Sequence, residues 1–506
     1  MPQKHQVQYD ELCQFVRETA LLTATESMLG WDERTMMPTE AAEYRAEQMT
    51  LLAGLIHQRR TDPRLGAWLG ELAESRLAAD PHGDEGTTIR QLKRDYDKRV
   101  KLPQSLVEEL TRTASLGQHA WQAARANNDY KTLQPFLEKT FSLKRAQAEA
   151  LGYPECLYDA LLDDFEPGEL TSNIAVVLAD LRESLVPLVS AIAGSARRPD
   201  VTILARRFPI DVQEQFSRAA AAAIGFDFAR GRLDVTAHPF CTGLGPHDCR
   251  ITTRYEEHFF NCAFFGTLHE AGHGIYDQGL PPDWYGLPPA EAVSLGIHES
   301  QSRLWENLVG RSRAFWQHFF PAAQRAFPDA LGDESIEGFY FAINDVRPSL
   351  IRVEADEATY NLHILIRFEL EQALLADDLR AGDLPEAWND KYAQYLGIRP
   401  LNDSDGVLQD IHWSGGLIGY FPTYSLGNLY ASQFFAQAQV DLGDLAPQFA
   451  RGEFQPLRDW LARMIHAHGQ RYTAAELVRK TTGKPLSSGP LVAHLRNKLA
   501  PLYGLK

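Results

Sequence analysis

Hydrophobic residues recur every three or four positions along most of this chain, which is the spacing of one helix face. A clear example runs from residue 171 to residue 188, where the apolar positions are Ile174, Val177, Leu178, Leu181, Leu185 and Leu188. Thr171-Ser172-Asn173 is a suitable helix start, and Pro187 predicts a kink or an end. Thr473 and Glu476 have the spacing of a capping box at the start of another helix. These patterns predict a mainly α fold.

The region from residue 233 to residue 255 departs from the helical pattern. It contains two runs with β-branched residues, 233–240 and 248–255, separated by the turn residues Gly243-Leu244-Gly245-Pro246. This arrangement predicts a β-hairpin at about 233–255. We expect a small β-sheet here, with an edge strand that can pair with the extended main chain of a peptide.

Directly after the hairpin, residues 259–278 form an apolar stretch without proline, which predicts a helix that Gly279-Leu280-Pro281-Pro282 would end. The helix carries His269, Glu270 and His273 in an H-E-x-x-H pattern. Histidines four positions apart lie on the same face, where both imidazoles can bind one metal ion. A zinc ion with three protein ligands keeps a position for water, and Glu270 is the candidate base for that water.

A third metal ligand is needed, and Glu299 is the candidate. It belongs to His298-Glu299-Ser300-Gln301, which opens a second helical stretch running to Leu308. Two histidines and a glutamate about 25 residues downstream form the layout of thermolysin-like zincins. The alternative is a chance motif in a chain with 16 histidines, but the two segments together favour a zinc site.

The composition is that of a globular protein, with 44% hydrophobic and 23% charged residues in a chain of 506. The 67 acidic and 50 basic side chains leave a net charge of −17, which disfavours nucleic acid or an anionic membrane as a partner. The first ten residues lack the apolar core of a signal peptide, and no segment has the apolar length of a membrane helix. Because no linker or repeat divides the chain, we expect one cytoplasmic catalytic domain over residues 1–506.

The five cysteines are sparse and odd in number, which fits reduced thiols in a cytosolic protein. Cys241 and Cys249 could approach one another across the hairpin, although a structural disulfide is the less favoured interpretation. No spacing among the five indicates a zinc knuckle.

A glycine-rich segment follows His412 and Trp413 and continues to Tyr420. Glycines beside a histidine and tyrosines indicate a loop close to a ligand, so His412 and Tyr420 are candidate hydrogen-bond donors to an oxyanion or a substrate carbonyl. The alternative is that these side chains are core or loop-anchoring aromatics.

Arg352 and Arg250 are candidates for a bidentate clamp on the C-terminal carboxylate of a peptide. The alternative for each is an ordinary ion pair at the surface. Asp277 and Asp356 are candidates to orient the ligand imidazoles, with solvation at a helix surface as their alternative.

Six motifs occur in order along the chain, and together they resemble the carboxypeptidase Taq family of metallocarboxypeptidases. They are His238-Pro239-Phe240, Asp248-Cys249-Arg250-Ile251-Thr252, the H-E-x-x-H of 269–273, His298-Glu299-Ser300-Gln301, Ile351 to Asp356, and Gly406 to Trp413. Segments near both termini, including Gly30-Trp31-Asp32 and Trp460-Leu461, also resemble the family, so the likeness spans nearly the whole chain. Asp277 stands where relatives often have glutamate.

The resemblance implies roles for individual residues. The zinc ligands it implies are His269, His273 and Glu299, with Glu270 as general base and then general acid. The substrate-binding residues it implies are Arg352, Arg250 and His238, with His412 and Tyr420 as donors to the oxyanion or the substrate.

The resemblance also implies a fold and an assembly. The fold would be a single large helical body with a deep active-site cleft and a small β-sheet beside the zinc helix, similar to neurolysin and angiotensin-converting enzyme. Family members are typically homodimers, and one Zn²⁺ per chain is expected, with Co²⁺ as a possible substitute.

We therefore predict a zinc-dependent metallocarboxypeptidase that removes the C-terminal residue of peptides with broad specificity. Its partners would be peptides with a free C-terminus, and neither nucleic acid nor membrane. Two alternatives stay open: a zinc oligopeptidase of the same fold that cuts internal bonds, and a non-catalytic helical binding scaffold.

Overall fold

The computed structural model describes residues 2–505, most of which are helical. They form two compact units. The first contains the N-terminal residues through Val100, with Asp200–Ile343 and Phe434–Gly483; the second contains Lys101–Pro199, Asn344–Gln433 and the residues after Lys484. The single catalytic domain over residues 1–506 stays a prediction.

The α-helices, in chain order, are α1 (Pro2–Thr35), α2 (Ala42–Arg60), α3 (Pro63–Ala73), α4 (Asp84–Lys101), α5 (Gln104–Asn127), α6 (Tyr130–Leu151), α7 (Leu157–Leu162), α8 (Thr171–Gly194), α9 (Ile210–Ile224), α10 (Phe260–Gly279), α11 (Leu295–Arg303), α12 (Arg313–Ala326), α13 (Pro328–Leu331), α14 (Ile336–Ile343), α15 (Thr359–Leu375), α16 (Leu384–Leu396), α17 (Pro422–Leu442), α18 (Ala446–Ala450), α19 (Gln455–Met464), α20 (Ala474–Thr482) and α21 (Gly489–Tyr503). A π-helical segment, Leu304–Val309, directly follows α11. The mainly α fold is confirmed.

Two predictions about where helices start and end, one at Thr473 and one at Pro187, can be checked against these bounds. The capping box is confirmed: the Thr473 hydroxyl accepts the Glu476 N–H at 3.3 Å, and the Glu476 carboxylate accepts the Thr473 N–H at 2.8 Å. In contrast, α8 continues past Pro187 to Gly194, so the proline does not end the helix. The apolar residues on both sides of Pro187, including Leu185 and Leu188, are buried, and this packing outweighs the lost backbone hydrogen bond.

The β-sheet has three strands, β1 (Gly231–Val235), β2 (Cys241–Gly245) and β3 (Asp248–Thr253), in the order β1-β3-β2. β3 pairs antiparallel with β2 and parallel with β1. The single hairpin expected from runs 233–240 and 248–255 is therefore wrong in its pairing. The first run ends as a strand at Val235 and Pro239 lies outside every strand, which fits the missing N–H of proline.

Helix α10 lies at the centre of the first unit, where it packs against α9, α11 and β3. Its apolar side chains are buried, and aromatic rings from neighbouring helices pack on them; the Phe264 and Trp316 ring centroids are 5.1 Å apart. A helix buried on nearly every side gives its few polar residues fixed positions. The observed bounds differ by one residue from the predicted 259–278.

In the second unit, α15 is the most deeply buried helix, yet it carries polar residues at Asn361, His363, Arg367 and Glu371. Each of these side chains has a protein partner, as buried polar groups require. Within residues 2–505, no helix combines the length and the hydropathy that crossing a bilayer requires.

Candidate active site

Three predicted metal ligands come together in the first unit. His269 and His273 lie one turn apart on α10, and Glu299 projects from α11. Glu299 Oε2 lies 3.7 Å from His269 Nε2 and 3.5 Å from His273 Nε2. Ligand atoms around a tetrahedral zinc ion are about 3.4 Å apart, given metal–ligand bonds of about 2.1 Å. The three atoms therefore have nearly the separation that such an ion requires.

Gly272, between the two histidines, allows α11 to approach α10 closely. A Cβ atom built on Gly272 would lie 2.6 Å from the carbonyl oxygen of Gln301 and 2.6 Å from the Cα of Ser302. Any side chain at this position would push the two backbones apart. The glycine in the H-E-A-G-H sequence thus brings Glu299 within reach of the imidazoles.

The outer nitrogen of each imidazole is held by the protein. His269 Nδ1 is 2.9 Å from Glu306 Oε2, and His273 Nδ1 is 3.0 Å from the carbonyl oxygen of His298. Each Nδ1 donates its hydrogen to an acceptor, which leaves the Nε2 lone pairs directed at Glu299. This arrangement fits a bound cation, because an imidazole that donates from Nδ1 can offer its Nε2 lone pair to a metal.

Glu306 was not singled out from the sequence. It lies on the π-helical segment that follows α11, seven residues beyond Glu299. Burial would raise the pKa of Glu306, but Arg303 and His269 outweigh burial and lower it to about 2. The carboxylate is thus ionised and able to hold the His269 imidazole. Its spacing from Glu299 is two helical turns, which places both carboxylates on one face, but no motif in the sequence singles Glu306 out.

Arg303 orients Glu299 as well. The Arg303 Nε donates to Glu299 Oε1 at 2.6 Å, which leaves Oε2 facing the two imidazoles. Burial opposes the ionised form of Glu299, but Arg303 and His269 hold its pKa well below the usual range. The third ligand therefore presents a charged oxygen in a fixed direction.

Glu270 is 7% exposed and lies between the ligand histidines in sequence. Burial is the main cause that raises the pKa of its carboxyl to about 7. Within the described residues 2–505, no hydrogen bond engages this carboxyl group. The group is free to exchange a proton with a molecule that reaches the ligands.

Asp277 and Asp356 do not contact the ligand imidazoles. Asp277 Oδ1 accepts a hydrogen bond from His298 Nε2 at 3.1 Å, and the His298 ring stacks on His273 with centroids 4.3 Å apart. Asp356 instead caps α15, accepting the backbone N–H groups of Ala358 and Thr359. Asp277 supports a ligand histidine only through a stacked neighbour.

Two predicted substrate-binding residues also belong to the first unit. Arg250, on β3, forms a two-bond pair with Asp248, both distances being 3.0 Å, and its guanidinium lies 4.3 Å from the Trp31 ring centroid. His238 lies in the exposed segment between β1 and β2. Neither side chain contacts the three metal ligands in the described structure.

In the second unit, Arg352 is 5% exposed and pairs with Asp410, its Nη2 lying 2.8 Å from Oδ1. Its Nη1 donates to the Tyr360 hydroxyl at 3.0 Å. Arg367, fully buried, binds the other oxygen of Asp410 at 2.6 Å. Asp410 therefore carries two arginines, a role that the sequence did not reveal because the pairing joins distant segments.

His412 and Tyr420 are close to this arginine pair. His412 Nδ1 lies 3.8 Å from Asp410 Oδ1, and the His412 and Tyr420 rings have centroids 5.5 Å apart. Burial lowers the pKa of His412 to about 4, so its imidazole is neutral at neutral pH. His412 Nδ1 is buried without a hydrogen-bond partner among residues 2–505.

Trp413 anchors the glycine-rich segment that joins these two residues. Its indole N–H donates to Glu371 at 2.7 Å, and the Gly419 N–H donates to the same carboxyl at 3.2 Å. The alternative of a loop-anchoring aromatic is thus correct for Trp413. Glu371 went unnoticed in the sequence because its partners lie about 40 positions further along, beyond the reach of local patterns.

The chain is similar to known proteins over nearly its whole length. The family model described as carboxypeptidase Taq (M32) metallopeptidase matches residues 11–499. The chain is 50% identical to thermostable carboxypeptidase 1 of Thermus thermophilus over 98% of this chain and 99% of that protein. It is 39% identical to carboxypeptidase 1 of Bacillus subtilis over 94% of this chain and 95% of the other. The crystal structure of M32 carboxypeptidase from Deinococcus radiodurans superposes with a TM-score of 0.95 and 41% identity, covering 99% of this chain and 100% of that one.

Proposed function

Because this chain belongs to the carboxypeptidase Taq (M32) metallopeptidase family and is a metallocarboxypeptidase, we propose that its metal is zinc and that Glu270 transfers the proton. The observation that carries the proposal is the orientation of the two imidazoles. Both outer Nδ1 atoms donate to protein acceptors, while both Nε2 atoms face the same oxygen of Glu299.

His269, His273 and Glu299 would hold one zinc ion per chain, and Co²⁺ would serve as a substitute with the same nitrogen and oxygen ligands. When bound there, the metal supplies Lewis acidity to a carbonyl group and makes water more acidic.

Glu270 acts as general base and then as general acid. Its carboxylate takes a proton from the attacking water and later gives it to the nitrogen of the leaving amino acid. Two features of the structure support this role: the side chain is buried beside the ligands, and no hydrogen bond within residues 2–505 competes for its oxygens.

His412 donates a hydrogen bond to the substrate oxygen that gains negative charge, and Tyr420 assists it. The buried and unpartnered Nδ1 of His412 supports this assignment, because a neutral imidazole can carry its hydrogen there. His412 Nε2 lies 3.3 Å from the Tyr424 hydroxyl, which can donate to it and so leaves the hydrogen of the neutral ring on Nδ1.

Arg250 and Arg352 recognise the free carboxylate of the substrate, and His238 contributes to substrate binding. Arg250 is the easier of the two arginines to redirect, because its partner Asp248 is 40% exposed and can be replaced by another carboxylate. Arg352 already uses three nitrogens on Asp410 and Tyr360, but a guanidinium has five N–H donors, which leaves two for a substrate.

We further propose that the enzyme works as a homodimer in the cytoplasm. The five cysteines are all free thiols in the structure, which fits a reducing compartment. The dimer follows from the family resemblance, and light scattering of the purified protein tests it directly.

The function is tested with an N-blocked dipeptide that has a free C-terminus and with the same dipeptide amidated. We expect release of the C-terminal amino acid from the free peptide, loss of release after chelation, and recovery on adding zinc or cobalt. Equal cleavage of the amidated peptide would instead favour the oligopeptidase. Metal-loaded protein that cleaves neither dipeptide nor a longer peptide would favour the binding scaffold.

A further inference from the structure

A second group of potential metal ligands lies in the first unit, apart from His269, His273 and Glu299. Its members are Cys241 on β2, Cys249 on β3 and Asp277 near the end of α10. We propose that these three side chains bind a second zinc ion or a similar thiophilic divalent cation. This proposal goes beyond the carboxypeptidase function and does not depend on it.

Two of the three distances within this Cys-Cys-Asp cluster match tetrahedral coordination, and all three donor atoms lie within 4.8 Å of one another. The two sulfur atoms are 3.7 Å apart, and the Cys241 Sγ is 3.7 Å from Asp277 Oδ2. With zinc–sulfur bonds of about 2.3 Å, two thiolates on a tetrahedral ion are separated by about 3.8 Å. A thiolate and a carboxylate oxygen on the same ion are separated by about 3.5 Å. An ion can therefore enter with only small movements of the side chains.

The backbone holds the three donors in place. Cys249 pairs with Gly243 across the antiparallel strands, so Cys241 is its diagonal neighbour two positions away. A Cβ atom on Gly243 would lie 3.2 Å from Asp277 Oδ2, so the glycine lets the strand approach the carboxylate. The other oxygen of Asp277 accepts from His298 Nε2, which fixes the direction of the carboxylate.

A cavity of about 580 Å³ borders two of the three donors, Cys249 and Asp277. Cys249, Asp277 and Gly243 line it, and so do Arg230 and His298. The cavity provides an entry path for the ion and room for water as a fourth ligand, whereas closed structural zinc sites take all four ligands from protein.

Binding requires no oxidant or reductant. Each thiol releases its proton to solvent as its sulfur–metal bond forms, and Asp277 contributes one bond from its existing carboxylate. Two thiolates, one carboxylate and one divalent ion leave a net charge of −1 at the site. Arg230 on the cavity wall provides a neighbouring positive charge.

Anaerobic titration of the reduced, metal-free protein with Co²⁺ tests the proposal. We expect two equivalents to bind, and one of them to give the near-ultraviolet absorption of sulfur-to-cobalt charge transfer. The His-His-Glu ligand set contains no sulfur, so this absorption reports the Cys-Cys-Asp cluster alone. Recovery of dipeptide cleavage in the same samples reports the first site separately.

The double variant Cys241→Ser/Cys249→Ser should bind one equivalent and lose the charge-transfer absorption. Cys262→Ser is the matched control, because this thiol lies near Arg254 and Glu256 in the same unit and outside the cluster. It should behave as the unaltered protein. Retention of the absorption by the double variant would overturn the assignment.

The unaltered protein alone can also overturn the proposal, should the double variant fail to fold. Binding of only one cobalt equivalent without the absorption, in protein whose five thiols all react after denaturation, would disprove the second site. Only three reactive thiols would show a Cys241–Cys249 disulfide, which equally excludes it. In both cases, recovered dipeptide cleavage would leave the carboxypeptidase function standing.

Discussion

Two buried charged clusters, one in each unit, differ in how their polar atoms are satisfied. The Nδ1 atoms of His269 and His273 form hydrogen bonds with protein acceptors. Their Nε2 atoms face Glu299 at 3.7 and 3.5 Å, respectively. These distances exceed the length of an ordinary hydrogen bond, about 2.9 Å. Around Asp410, in contrast, Arg352 and Arg367 bind at 2.8 and 2.6 Å and neutralise the carboxylate.

The difference is the one we expect between a metal-ligand site and a set of internal ion pairs. The His-His-Glu cluster has its outer contacts complete and its inner atoms directed at a common point, which is the arrangement a cation requires. In the arginine cluster the Asp410 carboxylate is satisfied by Arg352 and Arg367, so removing it should affect the stability of the second unit first. If Arg352 also binds substrate, it must do so with the two N–H groups that do not bind Asp410 or Tyr360.

The largest expected effect is on turnover. Replacing Glu270 by Gln should lower kcat by about 10³-fold or more, because the amide cannot take up the proton. Metal content should stay at the level of the unaltered protein, since Glu270 is not a ligand in our proposal. Steady-state kinetics with metal analysis checks both, and near-normal kcat would refute the assigned role.

The ion pairs of Asp410 are expected to matter mainly for stability. Asp410→Asn leaves Arg352 and Arg367 without their buried countercharge, so the free energy of unfolding should fall by about 3–5 kcal/mol. Asp390→Asn is the control, because its pair with Arg399 is exposed and worth little. Denaturant unfolding of both variants measures the contrast. Equal stabilities would mean that Asp410 does not stabilise the second unit.

The contact that holds the Nδ1 atom of His269 should affect the affinity for the metal. Glu306→Gln removes the charged acceptor of His269 Nδ1, so the metal dissociation constant should rise about 10–100-fold. Competition with a chelator measures it, and Glu337→Gln on the exposed face of α14 is the control. An unchanged constant would show that the imidazole is oriented without Glu306.

The smallest stability effect is expected at Arg250, whose partner Asp248 is partly exposed. Arg250→Met should change the free energy of unfolding by less than about 1 kcal/mol. KM for the dipeptide with a free C-terminus should nevertheless rise, while cleavage of an amidated peptide should not change. If KM stays the same, Arg250 serves only its contacts with Asp248 and Trp31, and Arg352 becomes the remaining candidate for the carboxylate.

The parts of the molecule that the sequence predicted correctly depend on local spacing. The helix at 260–279 and the capping box of Thr473 each follow from residues fewer than five positions apart. The placement of His269 and His273 on one helix face likewise depends only on their spacing. Glu299 was identifiable because it belongs to a motif with its own helical start.

The remaining features depend on contacts between distant segments. The parallel pairing of β1 with β3 cannot be deduced from the two β-branched runs and the turn residues between them, which favoured a simple hairpin. The attachment of Glu371 to Trp413 and of Asp410 to two arginines joins α15 to a loop with no repeating pattern. The contact between Glu306 and His269 likewise joins residues that are 37 positions apart.

The backbone contact at Gly272 has a consequence for the size of ion that the catalytic centre can accept. The two helices that carry the ligands already touch there, main chain against main chain, so they cannot come closer. If His269, His273 and Glu299 bind an ion, adjustment to a shorter bond length would therefore have to come from rotation of these side chains and not from closer approach of the helices.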